Sequence, residues 1–410
     1  MTTIDTDRDQ DTALDHLSVT TPTVAGIRSD VAPVLARLAG ASAAREQQRE
    51  YSFDEVAELA AHRISLIGIP VASGGAGGTV RDVADLVIDI ARADSSVAQA
   101  LRTTFLTAYA VTNGAAPQAE RTLERLRAGH LFAGTANERT GAGSGEVTAT
   151  ARRVDGGYVI DGDKYYSTGG LYATWFSTAA RADDDRVIRF TVPFDREGVE
   201  RLDDFDAVGQ RLTASGTTRL RGVHVPDDDV VFTDEPLPDN PYRGSWAQLY
   251  LAAVQAGIAA RALDDAIRVA REKARPIKHS SARTSAEDPY VRQTVGDIAA
   301  RALAARSVVL LAAEELQTVI GLRGEDARAA GAAAAVTVAQ AGVVAIEAAL
   351  AASELLFDVG GGSLTDRSLG LDRHWRNART AANHNPRQWK QAVAGAYHLT
   401  GEEPPTTGLF

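Results

Sequence analysis

The sequence predicts an α+β protein of three parts in series: an N-terminal helical domain, a central β domain of barrel or sandwich type, and a C-terminal four-helix-type bundle. Three observations predict it. The apolar period is helical from Val24 to about Gly129, gives way to short β-prone runs, and becomes helical again from Ser245 onward. Strands and helices do not alternate, which argues against a parallel α/β sheet. At 410 residues the chain is long enough for two or three domains with a sizeable core. Residues 1–24 are expected to form a disordered N-terminus, 25–130 the helical domain, 131–235 the β domain and 236–410 the bundle.

In the first part Val31, Val34, Leu35 and Leu38 recur on one helical face, as do Val83, Leu86, Val87 and Ile90. The glycine-rich stretch from Gly68 to Gly78 between them reads as loop. In the second part the expected strands are Val147–Val154, Tyr158–Ile160, Trp175–Ala180, Val187–Val192 and Thr217–Val225. Asp155-Gly156 and Asp161-Gly162 carry the residues of tight hairpin turns. In the third, Ala252–Ala274, Val291–Val319 and Asp326–Phe357 are each long enough to pack as antiparallel helices.

Composition narrows the chemistry. There is no cysteine, so disulfides, thiolate nucleophiles and cysteine metal sites are excluded, and no spaced metal-ligand set is seen. The net charge of −11 and the lack of a basic run argue against nucleic-acid binding. Ala332–Ala352 is apolar but interrupted by Thr337, Gln340 and Glu347, so it reads as a packed helix and not a membrane span. The first residues lack the charged-then-apolar pattern of a secretory signal, and a cytoplasmic location is expected.

Several segments carry more specific information. Pro70 to Gly78 followed by Ile90-Ala-Arg-Ala-Asp-Ser-Ser96, Asn137-Glu-Arg-Thr-Gly-Ala-Gly-Ser144, Gly157 to Gly169, and Val208-Gly-Gln-Arg-Leu-Thr-Ala-Ser-Gly-Thr-Thr218 stand in this order. Arg275-Pro-Ile-Lys-His-Ser280 and the run Trp375 to Pro386 follow. Together they resemble the acyl-CoA dehydrogenase superfamily from about Ile69 to the C-terminus. Within it, the segment that holds the dehydrogenases' proton-abstracting glutamate aligns with Trp375–Pro386, which has no carboxylate. It offers His384 and Asn385 instead, and an amide has no usable basicity near pH 7. This is similar to the two-component flavin monooxygenases of the superfamily, a branch that includes dibenzothiophene and alkane-sulfinate or sulfone monooxygenases.

The resemblance implies a monooxygenase that receives reduced FMN, in preference to FAD, from a separate NAD(P)H-dependent reductase. Molecular oxygen is the co-substrate, adding at C4a to give a hydroperoxide. That adduct oxygenates a small molecule at sulfur or nitrogen, or hydroxylates carbon. It also implies a homo-oligomer, a tetramer, with no nucleic-acid or membrane partner. His384 is expected to hold or donate the distal proton with a pKa near neutral, Ser167 to lie at the flavin N5 edge, and Asn137 to face the substrate. Ser144, Thr168, Gly169 and Phe205 are assigned to the flavin ring, and Arg275, His279 and Ser280 to its phosphate in a neighbouring subunit. Thr104, Phe105 and Asn385 are assigned to the substrate, although Leu101–Thr107 departs from relatives that place a His or Tyr there. His374 is expected to be a packed core residue, Arg376 and Arg379 to form ion pairs within the bundle, and Asp227–Asp229 to be a solvated loop. Two alternatives stay open: an acyl thioester dehydrogenase, and a non-catalytic flavin-binding relative.

Overall fold

A computed structural model describes residues 21–113, 118–135, 137–139, 146–232, 241–407 and 410. Most of the segment expected to be disordered, and Ser144, lie outside the described residues.

The first part comprises α1 (Val24–Gln48), α2 (Phe53–Ala61), α3 (Val80–Ala93), α4 (Ser95–Ala100), α5 (Arg102–Thr112) and α6 (Ala119–Arg127). Their ends follow from local chemistry. Thr79 and Asp82 form a capping box at the start of α3, each side chain accepting the other's backbone N–H. Asp94 caps α4 by accepting from the N–H groups of Ser96 and Val97 at 2.8 and 3.2 Å. The face of α3 bearing Val83, Leu86, Val87 and Ile90 is buried.

The central part is β1 (Phe132–Gly134), β2 (Thr150–Val154), β3 (Gly157–Lys164), β4 (Trp175–Ala182), β5 (Val187–Pro193), β6 (Val199–Arg201), β7 (Thr218–Pro226) and β8 (Val230–Phe232). They form one eight-stranded mixed sheet in the order β6-β7-β3-β2-β4-β5-β8, with β1 added parallel to β4. β2 and β3 pair as a hairpin with Val154 opposite Gly157. The second expected hairpin, at Asp161-Gly162, does not form. β3 runs straight through these residues with a bulge between Ile160 and Gly162. Gly162 is required there by packing, because a Cβ would lie 2.4 Å from that of Ala149. β1, β6 and β8 have three residues each, too short to show a period of two.

The last part contains α7 (Ser245–Glu272), α8 (Pro289–Thr318), α9 (Gly324–Leu355), α10 (Arg373–Ala382) and α11 (Arg387–Thr400). Asp288 caps α8 and Pro289 occupies its first turn, where the missing N–H costs nothing. α7 lies at the centre, packed on α3, α8, α9 and α10. The stretch Gly324–Val359 is long and apolar enough to cross a bilayer. Its small side chains instead let it approach α7 and α8 closely, with Ala335, Ala345, Ala349 and Ala352 all buried.

Candidate active site

The site begins where β3 ends. Lys164 is fully buried and ion-paired with Glu138, whose carboxylate also accepts from the N–H groups of Thr148 and Ala149 at 2.9 and 3.1 Å. That pair fixes the residue 137–139 segment against β3. The chain then turns sharply. Tyr166 adopts φ +63°, uncommon for a side chain of its size, and the Thr168 N–H donates to the Tyr166 carbonyl at 2.7 Å. Gly169 follows at φ +83°, and a Cβ there would stand 2.4 Å from the Ala100 carbonyl oxygen, so this turn is seated directly on the end of α4. The Thr168 hydroxyl meets Ser215 at 2.9 Å, and Ser215 meets Thr213 at 2.7 Å. Ser167 differs from these. It is 1% exposed, and its Oγ has no hydrogen-bond partner among the described residues. A buried hydroxyl left unpaired carries a desolvation cost, which a ligand offering a hydrogen bond removes.

A second set of contacts places α10 beside this turn. The Gln210 N–H donates to Asn377 Oδ1 at 2.6 Å, and Asn377 Nδ2 donates to Ser95 Oγ at 3.1 Å. Residues from three motifs far apart in sequence thus form one buried junction. Arg376 reinforces it by gripping both oxygens of Glu46, at 2.6 and 3.0 Å. Deeper on α10, His374 and Arg373 both bond Asp265 Oδ2, at 2.7 and 2.8 Å. Burial and the Arg373 charge push His374 down to about 4, so it packs as a neutral ring.

His384 lies just past the end of α10; the residue is exposed, while its ring contact with Asn385 is partly buried. Its Nδ1 is 2.7 Å from Asn385 Oδ1, which also accepts from Gln248 Nε2 at 3.3 Å. Lys390 Nζ donates to Gln248 Oε1 and to the Phe410 carbonyl, both at 2.7 Å. An amide oxygen only accepts, so this network puts the imidazole proton on Nδ1 and leaves Nε2 as a lone pair. Loss of hydration pushes the His384 pKa down to about 4, and the Arg102 charge adds to the effect. The near-neutral pKa expected from sequence is therefore corrected: the ring is neutral at pH 7, an acceptor and not a proton donor. Burial likewise lowers Lys390 to about 8.

The other expected residues divide. Asn385 is in the network described above. Thr104 turns toward β1, its hydroxyl accepting from the Phe132 N–H at 2.9 Å. Phe105 packs on Tyr250 and borders a cavity of about 370 Å³ lined also by Tyr109 and Trp246. Asn137 is exposed, and its carbonyl accepts from the Tyr165 N–H at 3.0 Å. Phe205 is buried edge-on to Tyr166. Arg275 and His279 are exposed on the loop between α7 and α8, and Ser280 braces that loop by accepting from the Ala282 N–H. Among the described residues, none of these three bonds the Ser167 or His384 groups. Arg379 is exposed and has no ion pair among the described residues, contrary to expectation. Asp229 is buried between Arg121 and Arg125, so Asp227–Asp229 is not simply a solvated loop. Sequence reading missed Arg102, Gln248 and Lys390. Only Arg102 left a signal, by standing in the run that departs from the family pattern.

Comparison with known proteins agrees with this architecture. Residues 249–389 match the family described as acyl-CoA dehydrogenase, C-terminal domain. Dibenzothiophene monooxygenase of Rhodococcus qingshengii is 32% identical over 393 residues, covering 89% of each chain. The probable FMNH2-dependent monooxygenase SfnC of Pseudomonas putida is 29% identical, covering 83% of this chain and 86% of its own. The FMN-bound crystal structure of TdsC from Paenibacillus sp. A11-2 superposes with a TM-score of 0.83 at 25% identity, over 92% of this chain and 99% of that one. The chain belongs to the flavin-dependent monooxygenases of the acyl-CoA dehydrogenase superfamily, the family of dibenzothiophene monooxygenase.

Proposed function

We propose that the chain binds reduced FMN on the Ser167–Gly169 turn and oxygenates a small organic molecule between that turn and His384. The observation that carries the reading is the buried Ser167 hydroxyl with no partner, held on a strained turn that rests on α4. Such an atom fits a flavin edge, whose ring nitrogens and carbonyls supply the missing hydrogen bond. Bound flavin supplies oxygen activation, by the C4a-hydroperoxide route that the family resemblance implies, with electrons from a separate NAD(P)H-dependent reductase. The protein's own part is to place a proton and exclude water. His384 Nε2, neutral and lone-paired, accepts a hydrogen bond from an O–H in the site. Asn385 and Gln248 hold the ring in that tautomer. Thr168 and Phe205 complete the flavin side, and Asn137 borders it on the outside.

Arg275, His279 and Ser280 are assigned to the flavin phosphate of a neighbouring subunit in a homotetramer. Arg275 is exposed and has no carboxylate partner among the described residues, as a residue awaiting a phosphate would be. Among the described residues no carboxylate bonds His384, whose ring partner is Asn385, which counts against proton abstraction by a carboxylate and so against the acyl thioester dehydrogenase. The test is turnover with a purified flavin reductase, NADH, FMN and heavy-isotope oxygen, read by mass spectrometry. Product heavier by about 2 daltons than with ordinary oxygen is expected. Flavin bleached by an acyl thioester without any reductase would overturn the reading.

A further inference from the structure

Arg102 opens α5, two residues after the Ala100 carbonyl on which the Ser167–Gly169 turn rests. It forms no ion pair and no hydrogen bond among the described residues, and its Nε is sealed from solvent without an acceptor. Several other enclosed arginines of this chain meet carboxylates, Arg45 with Glu55, Arg125 with Asp229, Arg373 with Asp265, and Arg376 with Glu46, while Arg201 donates to the Gly170 carbonyl. Arg102 and Lys390 both act on His384, and among the described residues no carboxylate acts on Arg102. Among the described residues, Tyr250 is the one acidic group that acts on Arg102, and its hydroxyl donates to the Ala98 carbonyl at 2.6 Å. Among the described residues no acidic side chain pairs with Arg102, in a chain of 54 acidic and 43 basic side chains. Burying a cation without a partner is costly, which marks the position as one completed by a ligand.

Taking the flavin reading above as its basis, we infer that Arg102 binds an acid group of the substrate, a carboxylate or another two-oxygen anion, and that the chain oxygenates small organic anions. The guanidinium fork suits such a group, because two parallel N–H donors match two oxygens. The flavin ring itself is the competing anion, and its cradle lies on the β-domain side, at Ser167.

The test uses the full chain without flavin and three acid–amide pairs as probes: acetate and acetamide, benzoate and benzamide, 2-naphthoate and 2-naphthamide. Calorimetry on the unmodified protein is expected to show a preference of about tenfold or more for the acid in at least one pair. Arg102→Gln should abolish that preference, Arg102→Lys should retain part of it, and FMN affinity should change by less than about twofold in both. The Gln variant removes an unpaired charge, so thermal unfolding should show it at least as stable as the parent. No acid preference in any pair overturns the assignment. So does an unchanged preference in Arg102→Gln, or a loss of FMN affinity with probe binding intact, which would give Arg102 to the flavin. Failure of FMN to bind the unmodified chain would sink the flavin reading instead, while the probe titrations still decide Arg102.

Discussion

Ser167→Ala separates a ligand-binding hydroxyl from a structural one, because the two roles predict opposite signs for stability. Ser167 Oγ is enclosed, 1% exposed, and without a hydrogen-bond partner among the described residues. Removing it abolishes a desolvation cost of about 1–3 kcal/mol and leaves a methyl in nearly the same space. The flavin-free protein should therefore become more stable. Unfolding entropy of about 2.1 cal/mol/K per residue, over 410 residues, converts each kcal/mol into a rise of only about 1 °C, well within the precision of scanning calorimetry. FMN affinity should fall together with this gain, by about threefold to tenfold, since a net hydrogen bond of about 0.5–1.5 kcal/mol is lost from the complex. Thermal scans with and without saturating FMN read both quantities from one sample, because ligand binding raises the midpoint in proportion to its affinity. A variant that melts lower than the parent and binds FMN equally well would refute the assignment, since the hydroxyl would then be holding the fold.

His384→Ala should reduce oxygenated product by about threefold to tenfold, the loss of one net hydrogen bond of about 0.5–1.5 kcal/mol, with FMN affinity kept, measured by product formation against NADH consumed. The parent's pH–rate profile should show its acid limb near pH 4, where Nε2 gains a proton and stops accepting, and none near 6.5. Stability should fall with acid for a second reason. His374 has its folded pKa depressed to about 4, so its contribution is complete above 6.5 and is lost as pH falls toward 4, on the order of 3 kcal/mol. Denaturant titrations should show that slope flattened in His374→Gln. Glu138→Gln should cost about 3–5 kcal/mol, because the fully buried Lys164 loses its counter-charge, and urea midpoints would register it.

Much of this was legible in the sequence where one local signal governs. The helical faces of α1 and α3 could be read from apolar spacing, because each packs one stripe into the core. The Asp155-Gly156 hairpin followed from turn chemistry. Asp161-Gly162 carried the same dipeptide and misled, because Gly162 serves a close approach to Ala149 inside a strand, a contact set by tertiary packing. In the site, Ser167, Thr168, Gly169, His384 and Asn385 stand in recognisable motifs. Lys390 and Gln248 do not, since they matter only through a hydrogen-bond chain between α7 and α11 that no spacing encodes. The His384 pKa was likewise invisible, because hydration and the Arg102 charge are properties of the assembled pocket.

That pKa changes what the histidine does. A base whose conjugate acid has a pKa of about 4 is about three units too weak to take a proton outright at neutral pH. It can still accept a hydrogen bond, and with Nδ1 tied to Asn385 the acceptor is always Nε2. Such a group holds a shared proton in place on its partner without removing it. A dehydrogenase needs the reverse, a carboxylate basic enough to strip a proton from carbon. Burial, together with the charges of Arg102 and Lys390, opposes protonation of the ring. In the proposed reading, two features turn the pocket from proton abstraction toward proton retention: the absence of a carboxylate in the Trp375–Pro386 run, and one amide that fixes a tautomer.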